Sequence, residues 1–335
     1  MKAPDLPVAA AVVIAALSAV ACGRAEPSDE PVVAASPAAV SAGDETQLLQ
    51  PETVESKIVE IGSYIDLERL FDELNYTPEA WIAGIREVPR LYISEIPERW
   101  SQHTVKVINV LTKKRLFFRA LAPLVLRSNE LILQERTRLL QLAAGFANSE
   151  TLQADDLDWL NARAREYRVE ERAPDNTGKL FEKLEARIDI IPVSLTLSQA
   201  AEESGWGTSR FAFSGNALFG QWTWGDGISP AKQRSGKGDY KIAAFDTPLE
   251  SVRAHARNLN RHPAYAEFRG ERAALRRSGR SIRGQILVGN LSRYSERGEA
   301  YVESLRVIMR VNKLDDADDA FLADMDPLML VPVDT

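Results

Sequence analysis

Apolar residues recur at intervals of three and four along most of the chain from Ile58 onward, and one stretch, Phe219 to Phe245, breaks that period. The first pattern buries one face of a helix; the second, rich in Gly, Trp and turn residues, reads as short strands. The expected fold is mainly α with a small β-hairpin lobe, an α+β arrangement. The stretch Ile58–Arg172 reads as helical, notably over Lys106–Arg127 and Ser128–Phe146, where Leu131, Leu133, Leu139, Leu140 and Leu142 carry the spacing. Hydrophobic residues make up 45% of the 335, enough for a core of one large domain or two modest ones.

Some chemistry is excluded at once. Cys22 is the single cysteine, so no disulfide closes within the chain and no thiolate cluster binds metal. His103, His255 and His262 stand at spacings that match no familiar metal motif. No metal and no cofactor is expected. A net charge of -7 lacks the basic footprint of a nucleic-acid binder, so no nucleic-acid partner is expected either.

The N-terminus reads as an address. Val8 to Val20 is an apolar run shorter than the roughly twenty residues a membrane span needs, which fits the core of a secretory leader. It ends at Ala19-Val20-Ala21-Cys22-Gly23. Small residues before a cysteine resemble the lipobox of bacterial lipoproteins. That resemblance implies cleavage before Cys22, lipidation of its thiol, and a membrane as partner through the anchor. An ordinary leader cleaved after Ala21, with Cys22 a free thiol, is the alternative. The organisation expected is leader with lipobox over 1–22, disordered tether over 23–57, helical support over 58–175, a site-bearing domain over 176–314 and a tail over 315–335. The tether composition is Ala, Pro, Ser, Val and acidic groups without period.

The informative segment begins at Ile191-Pro192-Val193-Ser194, which opens a helix running through Gln199-Ala200-Ala201-Glu202-Glu203-Ser204. Gly205 is a natural stop, since glycine tolerates the left-handed conformation. Glu203 thus sits in the last helical turn, where the helix dipole disfavours a carboxylate, and Trp206 offers an apolar wall. Both raise a carboxyl pKa, as a general acid requires. The competing reading is a solvated helix-end glutamate.

The run Gln199 to Gly207, followed by Asn216-Ala217-Leu218-Phe219-Gly220, resembles glycoside hydrolase family 73, the glucosaminidases that cleave bacterial cell-wall glycan. Further runs resemble its Bax-type envelope branch: Ser209-Arg210-Phe211-Ala212, Gly220-Gln221-Trp222, Asn258 to Tyr265, and Tyr294-Ser295-Glu296-Arg297-Gly298. The resemblance covers Leu180 to Leu314, with a weaker extension back to about Leu91. It implies a lysozyme-like catalytic domain, cleavage of the peptidoglycan backbone at N-acetylglucosamine, glycan strands as partner, a bacterial envelope location on the periplasmic side, and Glu203 as the catalytic acid. The acidic chain gains no global attraction to the carboxylates of the wall, so recognition must be local.

A second catalytic group is left open. The family places an acidic residue in the β-lobe, where this chain reads Lys232-Gln233-Arg234. The candidates are Asp239, Glu296, Tyr294, which maps to a cleft-lining tyrosine of the family, and the substrate's own acetamido group. Trp206, Trp222, Trp224 and Tyr240 are candidates to stack on sugars, or else to pack the hairpin core. Asn216 and Phe219 are placed on the cleft floor. Thr247-Pro248-Leu249-Glu250 reads as a capping box, which gives Glu250 a structural role. The basic stretch Arg269–Arg283 is a solvated helix face or a contact for peptide-stem carboxylates. A lytic transglycosylase and a non-catalytic wall-binding lipoprotein are the competing functions; an amidase lacks any Cys/His pair or zinc motif here.

Overall fold

The computed structural model describes residues 57–233 and 238–333. The leader, Cys22 and the tether up to residue 56 lie outside the described residues. No helix among those described is long and apolar enough to cross a membrane.

Helices dominate, as the spacing predicts. The frame is one helix, Val110–Ala147, that runs through both expected stretches with Pro123 inside it. Asn109 starts it, its side chain accepting from the Thr112 amide at 2.9 Å. Leu116, Leu124, Ile132 and Leu139 form its buried stripe. Leu133 and Leu140, counted above with the apolar spacing, are exposed; they lie one position round from the stripe.

The stretch 58–172 is not helical throughout. Strand β1 (Lys57–Ile61) opens it, and β2 (Glu87–Val88) and β3 (Leu91–Ile93) follow. Strands β4 (Trp222–Thr223) and β5 (Lys241–Ile242) form the expected antiparallel hairpin. Beyond it, β6 (Phe321–Leu322) pairs parallel with β2. Strand β7 (Leu328–Pro332) is the centre of a parallel sheet, between β1 and β3. Residues 328–332, read as tail, thus close the fold onto its first strand. Arg99 fastens the seam: its guanidinium donates to the carbonyls of Ile61, at 2.5 Å, and Val333. Strands β1, β2, β3, β6 and β7 are too short to show a period, and their partners lie more than two hundred residues away. A local pattern cannot reveal such a sheet.

One core runs from Phe71 through the long helix to Leu330; the hairpin has its own, of Phe211, Ala217, Trp222, Tyr240 and Ile242. In the larger core the Glu203 helix, Val193–Ser204, is buried at every residue except Glu202. A buried helix N-terminus leaves amide donors that water cannot satisfy. Asp318 fills this role from far along the chain. Its carboxylate accepts from the Ser194 amide, the Ser194 hydroxyl and the Gly284 amide, each at 2.8 Å. Gly284 must be glycine: a Cβ there would stand 2.1 Å from Ser194 Oγ.

Part of the basic stretch turns inward. Arg272 is fully buried and donates to the carbonyls of Asp189 and Ile190 and to Asn260 Oδ1. Arg269 holds the carbonyls of Leu259 and His262, and Arg276 grips the Asp189 carboxylate. Arg269 and Arg272 therefore staple helix ends from within, while Arg276 grips Asp189 from the surface. The capping reading of Glu250 agrees with the structure: its amide donates to Thr247 Oγ1, and its carboxylate accepts from the Asp246 amide.

Asp318→Ala strips three buried donors of their acceptor. A loss of about 1–3 kcal/mol in chemical denaturation is expected, with a smaller loss for Asp318→Asn. Gly284→Ala is expected to destabilise by steric overlap against Ser194.

Candidate active site

Glu203 lies one turn beyond Gln199, so both project from one face of the helix. Only 8% of Glu203 is exposed. Three buried tyrosines feel the charge of its carboxyl: Tyr265, Tyr294 and Tyr301. Tyr301 hydrogen-bonds to it, and the Tyr301 oxygen also accepts from Gln199 Nε2 at 3.1 Å. The Tyr294 ring stacks parallel on Tyr301, with centroids 5.4 Å apart, and tilts against Tyr265 at 5.9 Å. Glu203 Oε1 has no hydrogen-bond partner among the described residues.

Burial is the main force on this carboxyl and raises its pKa; the Tyr301 hydrogen bond opposes, Glu202 raises it further, and Arg297 lowers it. The balance leaves Glu203 pushed up to about 8, protonated at neutral pH. Glu202 is the acidic neighbour, and it is occupied: Arg297 pairs with it and Ser304 Oγ donates to it at 3.0 Å. Burial also holds the Tyr294 and Tyr301 phenols well above their usual range.

Behind the tyrosines lies His255, which is fully buried. Its Nδ1 is 3.3 Å from the Tyr294 hydroxyl and its ring stacks on Phe219 at 3.9 Å. Burial lowers its pKa to about 3, so the imidazole is neutral. Gln199, His255, Tyr265 and Tyr301 escape a reading for site residues, because each looks like core. The available signal was Gln199: a lone amide in an apolar helix, four residues before the acid.

The turn after Glu203 explains Gly205-Trp206-Gly207. All three residues have left-handed backbones, with φ of 58°, 65° and 76°. Tryptophan does not adopt this cheaply, and its surroundings hold it there. Trp100 Nε1 donates to the Trp206 carbonyl at 2.9 Å; Phe117 and Phe118 meet the indole edge-on at 5.7 and 5.2 Å; the Lys114 ammonium stands 4.8 Å over it. Trp206 thus braces the turn against the long helix and is half-buried there.

The other expected site residues separate into two groups. Trp222 and Tyr240 are buried and stack on each other at 4.1 Å, as the core of the hairpin. Trp224 lies just past β4 and is 46% exposed, meeting Trp222 edge-on. Asn216 is buried as a clamp: its amide donates to the carbonyls of Phe245 and Asp246, and its oxygen accepts from the Ile96 amide. Asp239 and Glu296 are both exposed. His103 is exposed. No group of three metal-ligating side chains occurs among the described residues.

Residues 178–314 match the glucosaminidase family, described as mannosyl-glycoprotein endo-beta-N-acetylglucosaminidase. Protein bax of Escherichia coli (strain K12) is 32% identical over 207 residues, which cover 60% of this chain and 70% of that protein. No solved structure matches. With Glu203, the three tyrosines around it and the Gly-Trp-Gly turn all inside the matched segment, the chain belongs to the Bax-type glucosaminidase-domain family.

Proposed function

We propose that this protein is a peptidoglycan glycosidase that cleaves the glycan backbone next to N-acetylglucosamine, with Glu203 as the general acid. The observation that carries the reading is a buried carboxyl, protonated at neutral pH, whose Oε1 has no internal partner. The carboxyl proton passes to the glycosidic oxygen as the C1–O bond breaks. Tyr301, hydrogen-bonded to the carboxyl, then stabilises the carboxylate left behind. Trp224 serves as the sugar-stacking platform, with Trp222 and Tyr240 supporting it from within. The protein works in the bacterial envelope, held to a membrane on the periplasmic side, the outer membrane, by a lipid on Cys22.

Departure of the leaving group leaves positive charge at C1. Tyr294 holds its proton too firmly to act as a base. Asp239 and Glu296 are exposed, and Glu202 is engaged by Arg297. The best-supported second group is therefore the substrate's own acetamido oxygen. A site with one available carboxyl also favours a second reading, a lytic transglycosylase, in which a sugar hydroxyl closes an anhydro ring. Product mass separates the two, since the anhydro product is lighter by one water.

Glu203→Gln is expected to lower glycan release from purified peptidoglycan by at least about a thousandfold, since the proton donor is gone; parent-like activity on a zymogram would refute the assignment. The same variant has a stability signature. A carboxyl whose folded pKa of about 8 exceeds its value of 4.5 outside the fold destabilises the protein progressively between those pH values, because only the unfolded state loses its proton there. Glu203→Gln removes that term. Its melting temperature is expected to exceed the parent's by a margin that widens from about pH 4.5 to pH 8 and is constant above. Trp224→Ala is expected to raise KM several-fold with little change in kcat, measured on soluble glycan fragments.

A further inference from the structure

The chain enters the long helix by a tip that exposes three large aliphatic side chains within five residues. Val107 is 77% exposed, Val110 63% and Leu111 79%. None of them lines the apolar cavity beside them, which follows Trp100, Thr104 and Leu116. The sequence around the tip is cationic. From Arg99 to Asn129 there is no Asp or Glu, in a chain that holds 48 of them and has a net charge of -7. Among the described residues no carboxylate pairs with Lys106, Lys113 or Lys114, whereas Arg115 is paired with Glu68 at 2.8 Å.

We infer that this tip is a docking surface for an anionic lipid bilayer, with Val107, Val110 and Leu111 entering the acyl boundary and Lys106 and Lys113 lying at the phosphate level. Three features select this partner. The aliphatic groups stand outward on a turn instead of lining a groove, so they suit a soft apolar phase better than a short peptide. Lysine stems extend along an apolar boundary while their ammonium groups stay hydrated. A run of chain without acidic residues gives an acidic protein a local cationic edge for negative lipid. One turn further along, Lys114 covers Trp206, so docking by the tip fixes how the Glu203 turn is oriented to the membrane. The inference depends on neither the catalytic role of Glu203 nor a lipid on Cys22.

The test uses the chain from Gly23 onward, without leader or Cys22; residues 57–333 supply the core and all the strands, so the fold is retained. Co-sedimentation is measured with vesicles of phosphatidylcholine, with and without phosphatidylglycerol. The parent is expected to bind the mixed vesicles and to lose binding as salt rises. The triple variant Val107→Ser, Val110→Ser, Leu111→Ser is expected to bind at least tenfold more weakly. Lys106→Gln is expected to cost about fivefold, the contribution of one lysine at an anionic surface. Both variants are expected to keep the parent's circular dichroism and its binding to purified peptidoglycan. Equal binding of parent and triple variant overturns the inference. So does a loss confined to peptidoglycan or its stem peptides, which would make the tip a wall-recognition surface.

Discussion

The Glu203 helix is buried on nearly every side, and this one constraint shapes most of the molecule. A helix without solvent must have its terminal donors met from within. Asp318, which lies more than a hundred residues beyond Ser194, meets them, and Gly284 lets its neighbours approach. The same burial sets the chemistry at the other end. Desolvation is the largest influence on Glu203 and keeps it protonated near neutral pH. The helix dipole and an apolar Trp206 wall, the causes suggested by sequence, point in the right direction. Yet Trp206 packs on Phe117, Phe118 and Lys114 of the long helix, and the tyrosines shape the carboxyl's surroundings.

Tyr301 shows how core and site share residues here. It lies on an apolar stripe with Val302, Leu305, Ile308 and Met309, all buried except Ile308, which is half-buried. Its hydroxyl nevertheless reaches the acid. A phenol contributes both apolar area and a polar end, so one residue satisfies packing and electrostatics together. His255 behaves alike: stacked on Phe219 and neutral through burial, it meets the Tyr294 hydroxyl with Nδ1. Burial of this kind is invisible to a search for exposed or clustered titratable groups.

The helices were legible because each buries a stripe at helical spacing. The stop at Gly205, the hairpin and the Thr247 cap were legible because they depend on local backbone chemistry. The parallel sheet was not. Strands β1, β3 and β7 gain their meaning only when the two ends of the chain meet, and β7 lies where no period is visible. The motif residues divide in the same way. Their spacing identifies Glu203. It does not show that Asn216 is a clamp between three segments, or that Trp222 and Tyr240 sit beneath Trp224. Those roles depend on which side of a two-residue strand faces inward.

The Gly205-Trp206-Gly207 turn finally explains why the region before residue 176 belongs with the site. Three successive left-handed residues are unfavourable, by about 1–2 kcal/mol for the tryptophan alone. The Glu203 helix holds the turn only through its backbone: the Trp206 amide donates to the Ala201 carbonyl at 3.0 Å and the Gly207 amide to Ser204 Oγ at 2.8 Å. The contacts on the indole and the Trp206 carbonyl come from Trp100, Phe117, Phe118 and Lys114, all earlier in the chain. Trp100 in turn belongs to the segment that Arg99 ties to the ends of β1 and β7. The backbone that fixes the direction of Glu203 is thus held by a sheet assembled from both ends of the fold. A glucosaminidase segment cut at residue 176 would keep its acid and its tyrosines but lose the brace on the turn that follows them.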